Sequence, residues 1–480
     1  MSTTTPTPAK LDPAVMRIAI ALLVGGIAVI FDTTIVAVAL RQLATDLNTD
    51  IATIQWVSTG YLLALGVTIP LVGWLQGRLG GKRLWMIALT VFLIGSALCA
   101  TAWNAESLIA FRVIQGLGGG AMLPLLTTMI MQAARGQNLG RLMATVALPT
   151  ALGPILGPVI GGLILAIGDW QWLFLVNIPL GLVGLFLAWR MLPADGPSKP
   201  IRLDVVGFVL LAPALVALLW GLSNVALDGG FANVDVIVPV AAGAVLLVGF
   251  VLWALRKKQA PLLDLRVLRH RATWSATALM FLTGASLYGS MLLLPLYWQE
   301  LRGADALGAG LLLIPQGVGS LMSRTLAGRL MDRIGGRTVA IIGFAVVALA
   351  TVPFAFADAD TPIWLLGATL LVRGLGMGVV FIPLMAVAFI GLEHEEVPHA
   401  SVLTRIAQQV GGSLGVALLA VILATAATAA GSLATGFEIA FWWAVGFSVL
   451  SVGLAFILPG RARKQAELTP EEVSEVAEAA

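Results

Sequence analysis

Fourteen long apolar stretches, separated by short polar loops, leave this chain few folds to choose from. They lie at residues 16–39, 51–76, 83–102, 106–131, 140–166, 170–191, 204–224, 234–255, 273–299, 306–330, 338–357, 362–386, 400–425 and 438–459. Each is long enough to cross about 30 Å of hydrocarbon as a helix rising about 1.5 Å per residue. Inside a bilayer every backbone N–H and C=O must bond within the protein, which leaves helices or a closed barrel. Runs of this length read as helices, so the expected fold class is an all-α polytopic membrane protein with 14 transmembrane helices. Charged residues make up 11% of the chain, under half of the about 25% usual in soluble domains, which excludes a soluble protein. The lone Cys99 cannot form an internal disulfide, and His270, His394 and His399 lie near charged segments, outside the apolar runs. No metal or haem cofactor is expected from such a set. No phosphate-cradling glycine loop with its lysine occurs, which disfavours ATP-driven pumping. Nothing points to an enzyme.

Basic residues set the orientation. With the N-terminus inside, alternate loops hold Lys10, Arg17, Arg78, Lys82, Arg83, Arg135, Arg141, Arg190, Lys199, Arg202, Arg256–Lys258, Arg266, Arg269, Arg271, Arg324, Arg329, Arg333, Arg337, Arg405 and Arg461–Lys464. Only Arg41 and Arg302 fall outside, while Arg112 and Arg373 fall within helices. Both termini are therefore expected in the cytoplasm of a bacterial inner membrane, with the basic loops touching lipid. A nucleic-acid face would not recur at every second loop, so no nucleic acid is expected. Residues 1–12 read as an uncleaved tail, and Trp103, Trp170, Trp172 and Trp364 read as interfacial anchors at helix ends.

An internal repeat divides the chain. The string Gly73-Trp-Leu-Gln-Gly-Arg78-Leu-Gly80-Gly81-Lys82 recurs as Gly328-Arg-Leu-Met-Asp332-Arg333-Ile-Gly335-Gly336-Arg337. A second echo pairs Arg112 with Arg373, each followed by a glycine-rich stretch and a proline, Pro124 and Pro383. Two pseudo-symmetric six-helix halves, residues 1–192 and 272–460, explain this. The two helices of residues 193–271 have no echo and read as an inserted pair, and residues 461–480 as a cytoplasmic tail. Parallel halves with a site between them at mid-membrane are the expected transporter plan.

Asp32 is the only carboxylate well inside an apolar run. A charge there costs about 2.5–3.5 kcal/mol on insertion scales, so it has either a function or a partner. Counting about 1.5 Å per residue along helices one and four places Arg112 at a similar depth, with Gln115 one turn further on the same face. The pair reads as a proton-coupling site or as a structural ion pair. Tyr61, Gln115, Tyr288, Met291, Gln316 and Gln408 are candidates for a substrate-cavity wall, where Met and aromatic side chains adapt to varied ligands; ordinary helix packing is the alternative for each. Gly73, Arg78, Gly80, Lys82, Asp332 and Arg333 read as a cytoplasmic gate between helix ends.

The fifth apolar run carries Gly153-Pro154-Ile-Leu-Gly157-Pro158-Val-Ile-Gly161-Gly162. Prolines inside a helix bend it. Glycines at every fourth position strip one face to backbone and admit a close neighbour. The string resembles the antiporter motif in the fifth helix of exporters of the major facilitator superfamily. Further strings carry the same resemblance: Asp32-Thr-Thr-Ile-Val, Gln55-Trp56, Tyr61-Leu-Leu, Arg112-x-x-Gln115-Gly116, Trp172-Leu-Phe-Leu-Val-Asn177-Ile-Pro179-Leu-Gly181 and Gln409-Val-Gly-Gly-Ser-Leu-Gly415. Together they make the chain similar to the fourteen-helix drug:proton antiporter family, the EmrB/QacA type. Three departures stand out. The family's acid in the first basic loop is Gly77 here, although Asp332 keeps it in the second, so the first lock is weaker or made otherwise. Ala37 and Arg41 replace the usual Asn and Pro, and helix 13 lacks the acids of some relatives.

The resemblance implies the major facilitator fold and a proton-coupled antiporter that exports amphipathic small molecules by alternating access. It implies no cofactor beyond the proton gradient and a monomeric functional unit, and a periplasmic adaptor is left open. With one deep acid, the expected substrates are neutral or monocationic. A dedicated exporter of one metabolite or antibiotic, and a non-transporting sensor on the same fold, are the alternatives.

Overall fold

The structure is a computed structural model. It describes residues 13–49, 51–134, 153, 157, 160–165, 167–196, 202–225, 233–257, 261–304, 306–358, 360–393 and 395–460. Five helices come first: α1 (Pro13–Asp46), α2 (Ile51–Thr68), α3 (Val72–Leu79), α4 (Gly81–Ala100) and α5 (Ala105–Ala134). Then follow α6 (Trp172–Leu175), α7 (Asn177–Met191), α8 (Val205–Asn224), α9 (Val234–Arg256) and α10 (Arg271–Leu296). The chain continues with α11 (Ala306–Leu312), α12 (Ile314–Ile334), α13 (Gly336–Thr351), α14 (Ile363–Val387), α15 (Val397–Ala430) and α16 (Leu433–Ala455).

Twelve helical segments among the described residues are long and apolar enough to cross a membrane. They coincide with twelve of the fourteen expected runs. Of the other two, 140–166 falls almost wholly outside the described residues, although residues 160–165 are helical. The run 306–330 is not one helix: it breaks at Leu313, where Pro315 in the first turn of α12 cannot donate to the preceding turn. The apolar part of that run, Gly308–Ser323, is a shorter helical segment.

Close helix contacts replace the hydrophobic drive that lipid cannot supply. A Cβ on Gly116 would lie 2.6 Å from the Tyr61 carbonyl oxygen, fixing α5 on α2. On Gly118 it would lie 2.5 Å from the Phe92 nitrogen, fixing α5 on α4. In the C-terminal helices Gly415 meets Ala285 across α15 and α10, and Gly376 meets Gly343 across α14 and α13. The inserted pair holds itself together the same way, through Gly221 and Gly243. It leans on α2 through Trp56 and Trp220, whose rings meet edge to face at 5.7 Å, and on α15, where Ala417 joins the cluster of Leu222, Val225 and Val236.

The two repeated basic loops fold alike. Gly80 and Gly335 take positive φ, 87° and 85°, each ending one helix and starting the next. That backbone favours glycine, and a Cβ on Gly80 would also lie 2.5 Å from the Asp195 Cβ. Both turns lie at one end of the bundle. There Gly336 packs against Val387, the Thr273 hydroxyl donates to the Ala388 carbonyl, and Gly73 faces the Pro398 Cβ at 3.8 Å. The Ser401 hydroxyl donates to the Pro124 carbonyl at 3.1 Å, so the N-terminal and C-terminal helices touch at this basic end. Nearby, Asp204 caps α8 and gathers α9 and its linker. It accepts from Gly207 N, Trp253 Nε1, Leu262 N and Lys257 Nζ. Burial works to raise its carboxyl, but those four donors together hold it below the ordinary carboxylate range.

Candidate functional site

Asp32 is the twentieth residue of α1, about 28 Å from the start of that helix. It is completely buried, as is its partner Arg112 on α5 to within 1%. Arg112 Nη1 donates to Asp32 Oδ2 at 2.6 Å. Gln115 Nε2 donates to Asp32 Oδ1 at 3.0 Å and Asn177 Nδ2 donates to the same oxygen at 3.1 Å. Arg112 and Gln115 share a face because they are three residues apart on one helix, and Arg112 Nη1 also donates to Gln115 Oε1 at 2.7 Å. Arg112 Nε donates to the Val57 carbonyl at 3.2 Å, and its guanidinium lies 3.9 Å from the centre of the Tyr61 ring. Ser96 completes the cluster. Its hydroxyl accepts from Gln115 and Asn177 and donates to the Phe174 carbonyl.

Both Asp32 oxygens are thus occupied by donors from α4's neighbours α5 and α7. Oδ1 accepts two of these bonds and Oδ2 one, so a proton can be taken at Oδ2, but it cancels the charge that draws the donors and weakens the bonds. Removing the charge also leaves Arg112 buried without a counter-ion, which is strongly unfavourable. Asp32 thus joins three helices, α1, α5 and α7, through bonds that depend on its charge.

The glycine face of the fifth apolar run packs on the helix that carries Asp32. A Cβ on Gly153 would lie 3.2 Å from the Ile30 carbonyl oxygen, one on Gly157 2.8 Å from the Thr34 Cβ, and one on Gly161 2.9 Å from the Ile35 carbonyl oxygen. Thr34 Oγ1 donates to the Gly153 carbonyl at 3.0 Å. Gly162 is half-buried, while Pro154 and Pro158 lie outside the described residues.

The six expected cavity residues do not form one wall. Tyr61 and Gln115 are buried in the Asp32 cluster, because the guanidinium of Arg112 needs both an acceptor and a ring face. Gln316 is half-buried and accepts from Arg373 Nη1 at 2.7 Å. Gln408 is buried and accepts from Arg405 Nη1 at 2.9 Å. Tyr288, with its ring against Gly412, and Met291 are half-buried. Arg373 is the positional echo of Arg112, yet its partners Thr351, Gln316 and Ser290 are all neutral.

At the basic end, Arg78 stacks over Trp74 at 5.5 Å, and Arg333 is exposed. The Asp332 side chain lies outside the described residues. The Lys82 ammonium donates to the Trp189 and Leu192 carbonyls. The backbone N–H groups of Lys82 and Arg83 donate to Asp195 at 2.9 Å each. Asp195, beyond the end of α7, therefore caps the helix that follows the first basic loop, where Gly77 stands in place of an acid. Trp103, Trp172 and Trp364 are exposed as interfacial anchors would be, whereas Trp170 is buried against Phe174. Reading the sequence did not single out Ser96 or Asp195, and it named Asn177 only within a string of the family resemblance, with no role. The one available signal was an amide, Asn177, within an apolar run. Among the described residues no group of three His, Cys, Asp or Glu side chains could hold a metal.

Comparisons with known proteins agree with this architecture. The multidrug resistance protein B homolog of Mycobacterium tuberculosis is 36% identical over 418 residues, covering 87% of this chain and 77% of that one. The methylenomycin A resistance protein of Bacillus subtilis is 30% identical over 455 residues, covering 92% of each. The solved structure of the proton:xylose symporter XylE superposes with a TM-score of 0.67 at 16% identity, over 93% of this chain and 96% of that one. The family profile of the Major Facilitator Superfamily matches residues 22–416, and with a helical bundle of this plan the chain belongs to that superfamily and is a multi-pass membrane transporter, not an enzyme.

Proposed function

We propose that this transporter is a proton-coupled antiporter that exports amphipathic small molecules by alternating access. The observation that carries the reading is the buried Asp32 carboxylate, held by Arg112, Gln115 and Asn177. In this reading the contacts Ser401–Pro124 and Gly73–Pro398 close the cytoplasmic side, so the structure corresponds to the outward-facing carrier. Substrate leaves from this state. A proton then enters on Asp32, frees Arg112 from its counter-charge, and favours the state in which the basic end opens. Competition between proton and substrate for one state supplies the coupling. No cofactor takes part.

The proposal includes the finer assignments. The chain is of the fourteen-helix EmrB/QacA type, with halves 1–192 and 272–460 rocking about a shared site and 193–271 as an inserted pair. It sits in a bacterial inner membrane with both termini cytoplasmic, works as a monomer, and meets its substrate from the cytosol or inner leaflet. Names such as multidrug resistance protein support a broad substrate range. A second reading, a dedicated exporter of one antibiotic, draws on the relative named for methylenomycin A alone. The test is transport in proteoliposomes. An imposed pH gradient should drive uptake of several unrelated amphipathic compounds into inside-out vesicles, with proton release that stops in Asp32→Asn. Uptake of one compound only would favour the dedicated exporter. Transport by Asp32→Asn driven by the pH gradient at the parent rate would refute proton coupling through this acid.

A further inference from the structure

Among the described residues four charged side chains are buried: Asp32, Arg112, Asp204 and Arg373. Three of them have an opposite charge in contact, through Asp32–Arg112 and Asp204–Lys257. Arg373 has none. Its Nε donates to Thr351 Oγ1 at 3.1 Å, its Nη1 to Gln316 Oε1 at 2.7 Å, and its Nη2 to Ser290 Oγ. The two hydroxyls send their own hydrogens to the backbone, Thr351 to Val347 and Ser290 to Ser286. They solvate the guanidinium but cannot neutralise it.

A guanidinium carries five N–H groups. Three are used here, which leaves one hydrogen on each terminal nitrogen. Two N–H groups on neighbouring nitrogens are the fork that a carboxylate or similar oxyanion accepts with two oxygens. An isolated buried cation of this kind is costly until such a partner arrives. Gln316, the acceptor on Nη1, is only half-buried, and its backbone is pinned beside Arg373 by the close approach of Gly374.

A second guanidinium also lacks a carboxylate partner among the described residues. Arg405 on α15 is part-buried and bonded to Gln408. The Gln408 carbonyl abuts Gly284 of α10, and Ser290 lies on the same helix, about 9 Å further along. Arg373 thus bonds α10 directly and Arg405 lies on α15, which packs against α10, while among the described residues the one buried acid of the spans is already committed to Arg112.

We infer that Arg373 is a recognition site for an acidic group, a carboxylate or comparable oxyanion, on the carried molecule, with Arg405 reinforcing the attraction. This rests on the export reading for the ligand's route, but not for its binding. It replaces the monocation expected from the sequence by monoanions, and narrows neutral cargo toward zwitterions.

The test uses one amphipathic scaffold with three end groups: hexylbenzoate, hexylbenzamide and hexylbenzylamine. Binding is measured by thermal shift and tryptophan fluorescence on the full chain in phosphatidylcholine nanodiscs, so that no anionic lipid competes. The benzoate should bind about tenfold tighter than the other two. Ser290→Asp places a tethered carboxylate against Arg373. It should raise the melting temperature and bring the ratio of benzoate to benzamide affinity down to about one. Arg373→Lys keeps the charge without the fork and should lower the ratio several-fold without abolishing it. Equal or tighter binding of the amide or amine, no binding by any of the three, or an unchanged ratio in Ser290→Asp would each overturn the assignment. Export in proteoliposomes separates the two readings. Benzoate preference without proton-dependent movement keeps this site and removes antiport. Proton-driven export of amine and amide with the acid excluded does the reverse.

Discussion

Asp32→Asn should act as a locked mimic of the proton-loaded carrier, and the structure sets the size of the effect. Asp32 offers two oxygens, one to Arg112 and the other to Gln115 and Asn177. An asparagine keeps one oxygen and gains an NH2 group. Whichever way the amide turns, that NH2 faces a donor, either the guanidinium at 2.6 Å or the pair of amides. Arg112 is left buried and unneutralised. Breaking one side of a buried ion pair costs about 3–5 kcal/mol, which is about two to three and a half decades in an equilibrium constant. The cost falls on conformations that keep the pair buried, such as the one with the basic end closed. The mutant should therefore populate the basic-end-open form.

Gly73 and Pro398 supply the assay. A Cβ on Gly73 would lie 3.8 Å from the Pro398 Cβ, the spacing typical of a disulfide, about 3.8 Å. In Gly73→Cys/Pro398→Cys, oxidation should cross-link rapidly and block export reversibly, with buried Cys99 not competing. Adding Asp32→Asn should slow the cross-link at least tenfold. Adding Arg112→Gln to that should restore much of the lost stability, because both charges are then gone. Cross-linking and proton-driven export at parent rates in the Asp32→Asn background would refute the reasoning.

Three further outcomes are expected. Gly157→Leu puts a side chain where Thr34 already sits and should cost about 1–3 kcal/mol by overpacking, lowering export more than expression; unchanged efflux would mean the glycine face does not need its contact with α1. Asp195→Ala removes the two acceptors at the start of α4 and should lower stability by about 0.5–2 kcal/mol, read as a melting shift in detergent, with no shift contradicting the cap. Asp204 has a folded value below the ordinary one, so its contribution is present above the usual carboxylate range near about 4 and is lost as pH falls through the folded value. Melting of the parent should therefore fall off in acid below that range, and Asp204→Asn should show a lower and flatter pH profile; parallel profiles would exclude Asp204 as the titrating group.

Twelve of the fourteen expected spans were legible because hydropathy is a local property and a bilayer allows one local answer, whereas the break at Leu313 in 306–330 was not read from it. The Asp32–Arg112 pair was legible for a related reason: helices are rigid rulers, so position along the chain converts to depth. Gln115 followed from its place one turn beyond Arg112, but Asn177 and Ser96 did not. Small polar residues in apolar helices commonly return their hydrogen to their own turn, as Ser290 and Thr351 do, and nothing local marks Ser96 as the one that bridges three helices instead. Asp195 was hidden differently. No motif points to it, because it lies beyond α7 and reaches the start of α4 only through space.

The repeat shows where this reasoning has force and where it ends. Gly80 and Gly335 adopt the same left-handed turn because the backbone there demands it, so a repeated string reproduced a repeated conformation. Arg112 and Arg373 were likewise duplicated in place. What did not repeat was the counter-charge, since Ser290 meets the second arginine as Asp32 meets the first. A missing acid leaves no trace in a motif, because its absence shows only when every side chain around the arginine is known. Symmetry of the backbone therefore located two arginine sites, and asymmetry of their partners separates them: one whose charge is answered within the chain, and one whose charge remains for a ligand to answer.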